Sequence, residues 1–75
     1  MKITDINFGD ECQDIVTRFR GLVTGKAAYS TGCNQVLIQP QVDSNGKFVE
    51  ALWLDIERLV IIRRNVVEIA QSPTG

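Results

Sequence analysis

The residues of this chain that could recognise a ligand are polar and aromatic side chains in its middle and second half. The turn Tyr29-Ser-Thr-Gly-Cys-Asn-Gln35 offers hydroxyl and amide groups, which donate or accept hydrogen bonds. Further along, aromatic planes can stack on a flat ligand and an arginine can bind an anion. We therefore predict a ligand-binding site. Its members are Tyr29, Thr31, Asn34, Gln35, Gln39, Trp53, Asp55, Arg58 and Arg63.

Some of these residues also have a structural interpretation, which stays open at this point. Tyr29 and Trp53 are typical of a core or of a subunit interface as well as of a ligand platform. Asp55 and Arg58 are spaced for a local helix cap and ion pair.

The sequence contains few residues of the types that usually carry out catalysis or bind a metal. The chain has no histidine, and this removes the commonest general base and the commonest metal ligand. Cys12 and Cys33 are far apart in sequence and are interpreted as free thiols, which would fill only half of a tetrahedral zinc site. Cys33 has no histidine to activate it as a nucleophile. We expect no enzymatic activity, no cofactor and no metal.

The overall charge is close to neutral, with 8 basic and 9 acidic residues. The molecule as a whole therefore has no attraction for a phosphate backbone, and we do not expect nucleic-acid binding. Local basic patches are either ordinary solvated surface or an anion-binding site. The basic residues form two groups, Arg18, Arg20 and Lys26 in one half and Arg58, Arg63 and Arg64 in the other.

The first residues, Met-Lys-Ile-Thr-Asp-Ile-Asn, lack the apolar run of a signal peptide. No segment approaches the roughly 20 apolar residues that span a bilayer. We expect a soluble cytoplasmic protein without a membrane partner.

Five short apolar segments predict β-strands, at residues 11–17, 22–29, 36–38, 48–54 and 59–62. Gly21 favours a tight connection between the first two, and Asn45-Gly46 is a strong hairpin signal before the fourth. Gly25 within the second strand suggests a bulge. Residues 55–58 predict one helical turn, with Asp55 able to cap it.

This pattern favours an all-β fold, and specifically a small SH3-like five-stranded barrel. The barrel would occupy residues 1–64, and residues 65–75 would be a short C-terminal extension that could serve in oligomerisation. The residues predicted to lie in or near the core are Val23, Val36, Ile38, Val49 and Trp53.

The fourth and fifth strands are apolar on both faces. A domain of 75 residues has one small interior and cannot bury both faces of two strands. We therefore predict a homo-oligomer that assembles through these strands and the tail.

Several short motifs carry a resemblance to a known group of proteins. They are Phe19-x-Gly21-x-Val-Thr-Gly, Tyr29-x-Thr-Gly-Cys-x-Gln35, Gln39-Pro40, Gly46 and Trp53-x-Asp55-x-x-Arg-Leu59. In these motifs, which lie within residues 8–60, the chain resembles a family of short proteins from tailed bacteriophages and prophages. The resemblance implies a phage origin and the cytoplasm of a bacterial host, and it implies no mechanism.

Three functions are compatible with these observations. The first is a phage-type binding protein, serving counter-defence by sequestering a small anionic, nucleotide-like host signal in a pocket between subunits. The second is a protein-interaction module that inhibits a host or phage enzyme. The third is a nucleic-acid-binding SH3-like barrel.

Overall fold

Five antiparallel strands form a single sheet in the computed structural model of the protein, which describes residues 2–67. The strands are β1 Glu11–Asp14, β2 Arg20–Ala27, β3 Gln35–Gln39, β4 Leu52–Asp55 and β5 Leu59–Arg63. The sheet order is β4-β3-β2-β1-β5, so β4 and β5 are its two edges. Within residues 2–67 these edges do not pair with each other, and the sheet is open. The all-β prediction is confirmed.

Two short 3₁₀ turns complete the described secondary structure. The first, Ile3–Asp5, precedes β1, and the second, Ile56–Arg58, lies directly before β5. The predicted helical turn before the last strand is therefore confirmed. Asp55 does not cap it with its side chain, and that part of the prediction is wrong.

Alternation along the central strands places the core on one face of the sheet. Val36 and Ile38 of β3 point to the same side as Val23 of β2, and all three are fully buried. Because side chains in a strand alternate between faces, Leu37 and Gln39 lie on the opposite face, called here the outer face. These three core residues were predicted correctly.

Other core residues come from outside the central strands. Ile6, which follows the first 3₁₀ turn, is fully buried, and Ile56 and Leu59 are buried around the second. The chain thus closes its core with both 3₁₀ segments rather than with a longer helix.

Two of the predicted core residues lie elsewhere. Trp53 pairs with Leu37 across β3 and β4 and therefore lies on the outer face, where it is 47% exposed. Leu54, one residue later, pairs with Val36 and packs against the core instead. Val49 is only partly buried, in the loop before β4. The prediction that Trp53 lies in or near the core is wrong, because the next residue, Leu54, points to the core instead.

The first connection differs from the predicted hairpin. β1 ends at Asp14, and the positive φ of the following turn belongs to Arg18, at 70°. Gly21 is instead a buried strand residue pressed against the backbone of Gln39 and Pro40. The predicted bulge in β2 is confirmed, because the pairing with β3 shifts between Val23 and Gly25.

The connection between β3 and β4 is a loop of residues 40–51 rather than a two-residue hairpin. The turn signal itself is real, since Gly46 has φ of +79° and the Asp43 carboxylate accepts hydrogen bonds from the backbone of Asn45 and Lys47. Phe48, predicted to begin the fourth strand, belongs to this loop and is 90% exposed. The predicted start of that strand is wrong.

The segment after β5 folds back on the start of the chain. The backbone N–H of Val66 donates to the Gly9 carbonyl oxygen at 3.0 Å, and that of Asn65 donates to the Asp10 carboxylate at 3.0 Å. These contacts cover the beginning of the predicted C-terminal extension, and its residues 68–75 lie outside the described residues.

Candidate functional site

A groove of about 440 Å³ opens on the outer face of the sheet, at the end where β3 runs into the long loop. Its walls come from the strands through Glu11, Leu22 and Gln39, and from the loop through Val42 and Phe48. The groove thus combines polar groups and one leucine from the sheet with apolar groups from the loop.

Two arginines and one glutamate supply its charge. Glu11 of β1 pairs with Leu22 of β2 on one side and with Arg63 of β5 on the other, and Arg20 begins β2. The Nε of Arg63 donates to Glu11 Oε1 at 2.7 Å, and the Nε of Arg20 lies 4.0 Å from Glu11 Oε2. Two guanidinium groups facing one carboxylate leave one positive charge in excess.

The exposure of these three side chains differs sharply. Arg20 and Arg63 are each 64% exposed, whereas Glu11 is 14% exposed. Because a guanidinium carries five N–H donors and Arg63 gives one of them to Glu11, both arginines retain donors that face solvent. The site can therefore accept a further anionic group.

Gln39 positions the loop that forms one wall of the groove. Its side-chain amide donates to the carbonyl oxygens of Pro40 and Val49, both at 3.0 Å. Since both amide hydrogens are used in this way, the residue ties β3 to the two ends of the segment that carries Phe48. Gln39 thus acts on the groove by fixing the loop backbone on either side of the segment that carries Phe48.

The apolar wall is completed by the segment after β5. Val66 lines the groove next to Arg63, and its backbone hydrogen bond to Gly9 fixes its position. Together with Leu22 and Phe48, it gives the groove apolar surface beside the two arginines.

Of the nine predicted site residues, Gln39 and Arg63 line the groove. Gln35 and Asp55 are joined by a hydrogen bond of 3.0 Å and lie at the other end of β3. Gln35 and Gln39 are four positions apart along the strand, a distance of roughly 13 Å. Trp53 lies on the same outer face as these residues, packed against Gly25.

Three more predicted residues belong to the turn between β2 and β3. The side-chain oxygen of Asn34 accepts a hydrogen bond from the backbone of Tyr29 at 3.0 Å, so Asn34 shapes the turn. Tyr29 and Thr31 are exposed there, and none of the three lines the groove. The predicted site is therefore divided among separate parts of the molecule.

Arg58 is engaged with a buried carboxylate. Its Nη2 and Nε donate to the two oxygens of Asp14, at 2.6 and 3.2 Å, and Asp14 is fully buried. The hydrogen bonds from Arg58 and then from Thr17 lower the pKa of Asp14 to about 2. The proposed local ion pair of Arg58 with Asp55 is wrong, because Arg58 binds a residue 44 positions earlier.

A second buried carboxylate, not foreseen from the sequence, holds Arg64. Asp10 accepts hydrogen bonds from Arg64 Nη1 at 3.0 Å and from the backbone of Asn7 and Asn65. Burial, the largest influence, raises the pKa of Asp10, but these hydrogen bonds and the Arg64 charge together outweigh it and lower the pKa. Only the turn signal Gly9-Asp10 marks this residue in the sequence.

The two cysteines occupy different environments. Cys12 is fully buried, and burial followed by the nearby Asp10 charge raises the pKa of its thiol to about 11. Cys33 is exposed in the turn before β3. Among residues 2–67 no group of three or more potential ligands is arranged to hold a metal ion. Nor does any helix in that part of the chain have the length and apolar character needed to cross a membrane.

Comparisons with known protein families, curated proteins and solved structures gave no match. The resemblance to short phage proteins stays a prediction, and function is inferred from the groove and the sheet.

Proposed function

We propose that this protein is a non-enzymatic binding protein that holds a small anionic ligand in the groove. The observation that carries the proposal is the pair of largely exposed guanidinium groups, Arg20 and Arg63, which flank Glu11 beside an exposed aromatic ring, Phe48. Guanidinium groups bind phosphate and carboxylate through paired, charge-assisted hydrogen bonds.

The shape of the groove also indicates which class of anionic ligand it would hold. An anionic end would meet the arginines, and a flat apolar part would cover Phe48 and the aliphatic surface of Leu22 and Val66. Nucleotides combine these two features. In the cytoplasm of a bacterial host, a phage protein of this kind would act in counter-defence by sequestering a nucleotide-like signal.

We further propose that the five-stranded sheet belongs to an SH3-like barrel formed by residues 1–64, and that residues 65–75 are a C-terminal extension. The sheet order β4-β3-β2-β1-β5 and the 3₁₀ turn directly before β5 support it. The position of β1 between β2 and β5, which brings Glu11 between Arg20 and Arg63, is compatible with such a barrel.

Self-association is part of the proposal. Both sheet edges carry exposed apolar side chains, with Trp53 on β4 and Val60 and Ile62 on β5. Exposed apolar edge strands favour pairing with another chain. The groove described above lies within one chain, and a second copy bound along β5 would sit beside Arg63 and enclose the groove between subunits.

A protein-interaction module that inhibits a host or phage enzyme is the alternative. The same exposed apolar side chains, Trp53 above all, favour it. Substitution of the groove arginines distinguishes the two functions, because the binding of a partner that docks on Trp53 would not depend on Arg63.

Isothermal titration calorimetry with a panel of nucleotides tests the proposal. Replacing Arg63 by Gln should weaken the binding of any nucleotide at least tenfold, because a hydrogen bond to a charged group contributes about 1.5–3 kcal/mol. Arg18→Gln is the matched control, since Arg18 is an exposed arginine in the β1–β2 turn that does not line the groove. Equal affinities for wild type and Arg63→Gln, or no binding across the panel, would contradict the proposal.

A further inference from the structure

Glu11 is the only acidic residue among those that line the groove within residues 2–67. Its backbone is fixed by pairing with both β2 and β5, and its carboxylate faces the two arginines on which an anionic ligand would depend. Its low exposure, 14%, contrasts with the open guanidinium groups on either side. The negative charge of Glu11 repels an anionic ligand and occupies guanidinium groups that such a ligand would use.

Glu11 competes with any incoming anion for the same N–H donors. A side chain tethered to the site acts at an effective concentration in the millimolar range or above, without loss of translational freedom. A free carboxylate offers the same two oxygens and the same single charge, so it gains nothing by replacing Glu11. A ligand must therefore bring more charge or more acceptor oxygens than a carboxylate has.

A phosphomonoester meets this requirement. It carries a charge of about −1.5 to −2 at pH 7 and three acceptor oxygens, enough to bridge two guanidinium groups. A phosphodiester, as in a cyclic nucleotide, carries a single charge and has only two free oxygens. A phosphodiester therefore gains no more than a free carboxylate would by displacing Glu11.

We infer that Glu11 is the specificity-determining residue of the groove: it excludes monoanions and admits ligands that carry a terminal phosphomonoester. The inference rests on the proposed function and names the ligand class of that site. Arg20 and Arg63 hold the phosphate, and Glu11 turns away from Arg63 when the phosphate binds.

Calorimetry on the full chain with two probes tests the assignment. Adenosine 5′-monophosphate and adenosine 3′,5′-cyclic monophosphate share base and sugar, and differ in the charge and esterification of the phosphate. At pH 7.5 wild type should bind the monoester at least tenfold more tightly than the cyclic diester. In Glu11→Gln both should bind more tightly, the diester by the larger factor, so that the preference falls to about threefold or less.

Two further variants serve as controls. Glu57→Gln removes an exposed carboxylate from the second 3₁₀ turn, outside the groove, and should leave the preference unchanged. Arg20→Gln removes the guanidinium group that only a bridging phosphate would use, and should weaken the monoester more than the diester. Because Arg20 is largely exposed, this variant reports on binding rather than folding.

A pH profile gives an independent readout. The second ionisation of a phosphomonoester lies near pH 6, at roughly the value of a phosphoserine. Binding of the monoester to wild type should therefore weaken severalfold between pH 7.5 and 5.5, while binding of the diester should not change.

The outcomes separate this inference from the proposed function. If wild type binds the monoester, Arg63→Gln weakens it, and Glu11→Gln leaves the preference unchanged, the role of Glu11 is refuted and the function of the groove stands. If wild type prefers the diester, the ligand class is refuted as well. If neither probe nor any other nucleotide binds, both the inference and the proposed function are refuted.

Discussion

Replacement of Gly21 by alanine tests the link between the fold and the groove. A Cβ at this position would collide with the Gln39 carbonyl oxygen, and it would lie 2.5 Å from the Gln39 carbonyl carbon and 2.7 Å from the Pro40 nitrogen. All three atoms belong to the backbone, so no side-chain rotation can relieve the contact. Either β2 or the end of β3 must move.

The expected cost follows from these contacts. Overpacking by one methyl group costs about 1–3 kcal/mol, and a collision with backbone belongs at the upper end, about 3 kcal/mol. A domain of this length has a total stability of roughly 4–11 kcal/mol, at about 0.05–0.15 kcal/mol per residue. The melting temperature should fall by about 12–24 °C, since each kcal/mol shifts it by about 4–8 °C in small domains.

Thermal unfolding followed by circular dichroism measures the effect, and Gly32→Ala is the control. Gly32 has a φ of +86° and open space around it, so alanine there incurs only the backbone penalty of about 1–2 kcal/mol. Because Gln39 and Pro40 line the groove, Gly21→Ala should also weaken nucleotide binding, and Gly32→Ala should not. A Gly21→Ala protein that melts within about 2 °C of wild type would refute the close approach of β2 and β3.

Further predictions concern the buried ionisable groups and the assembly. The lowered pKa values of Asp14 and Asp10 mean that both carboxylates stabilise the fold above about pH 4. The Asp14 contribution is lost as the pH falls through its pKa of about 2, and the Asp10 contribution is also lost below pH 4. Acid unfolding should therefore be less steep in Asp14→Asn, although that variant is less stable at pH 7. The pKa of Cys12, raised from 9.0 to about 11, predicts stability that is lost as the pH rises from 9 to 11, and urea titrations should show a smaller loss in Cys12→Ala. Ile38→Asp should abolish cooperative unfolding, because it places an unpaired charge in the core; a soluble variant that melts cooperatively would contradict this. Light scattering at micromolar concentration should give a dimer or larger assembly, and Val60→Lys on the β5 edge should shift it toward monomer; a monomeric wild type would contradict the self-association.

The sequence predicts those parts of the fold that depend on local pattern. Val36 and Ile38 are identified because alternation in a β-branched segment marks one face of a strand. The same rule fails at Trp53, because the fourth strand starts at Leu52 and not at Phe48, and its register is set by pairing with β3. Ile6 is missed because its burial depends on a 3₁₀ turn packing against distant strands.

The candidate site is less accessible to sequence reasoning because its members meet through long-range pairing. Composition reveals the arginines but not their partners, and the buried carboxylates that bind Arg58 and Arg64 lie 44 and 54 positions away. Once these two are assigned to structural pairs, Arg20 and Arg63 remain as the exposed cations of the groove. Arg20 was not among the predicted site residues, because only the position of β1 between β2 and β5 brings it near Arg63.

One wall of the groove depends on a buried carboxylate for its position. Val66 forms part of the groove, and its segment is held by Gly9 and by the buried carboxylate of Asp10. Protonation of Asp10 would therefore release the groove wall together with part of the fold. Since the pKa of Asp10 is lowered from an ordinary value of 3.8, the carboxylate stays charged at pH 5.5 and the wall stays in place. Any loss of monoester binding between pH 7.5 and 5.5 then reports on protonation of the phosphate, because the contributions of Asp10 and Asp14 to the fold are lost only below about pH 4.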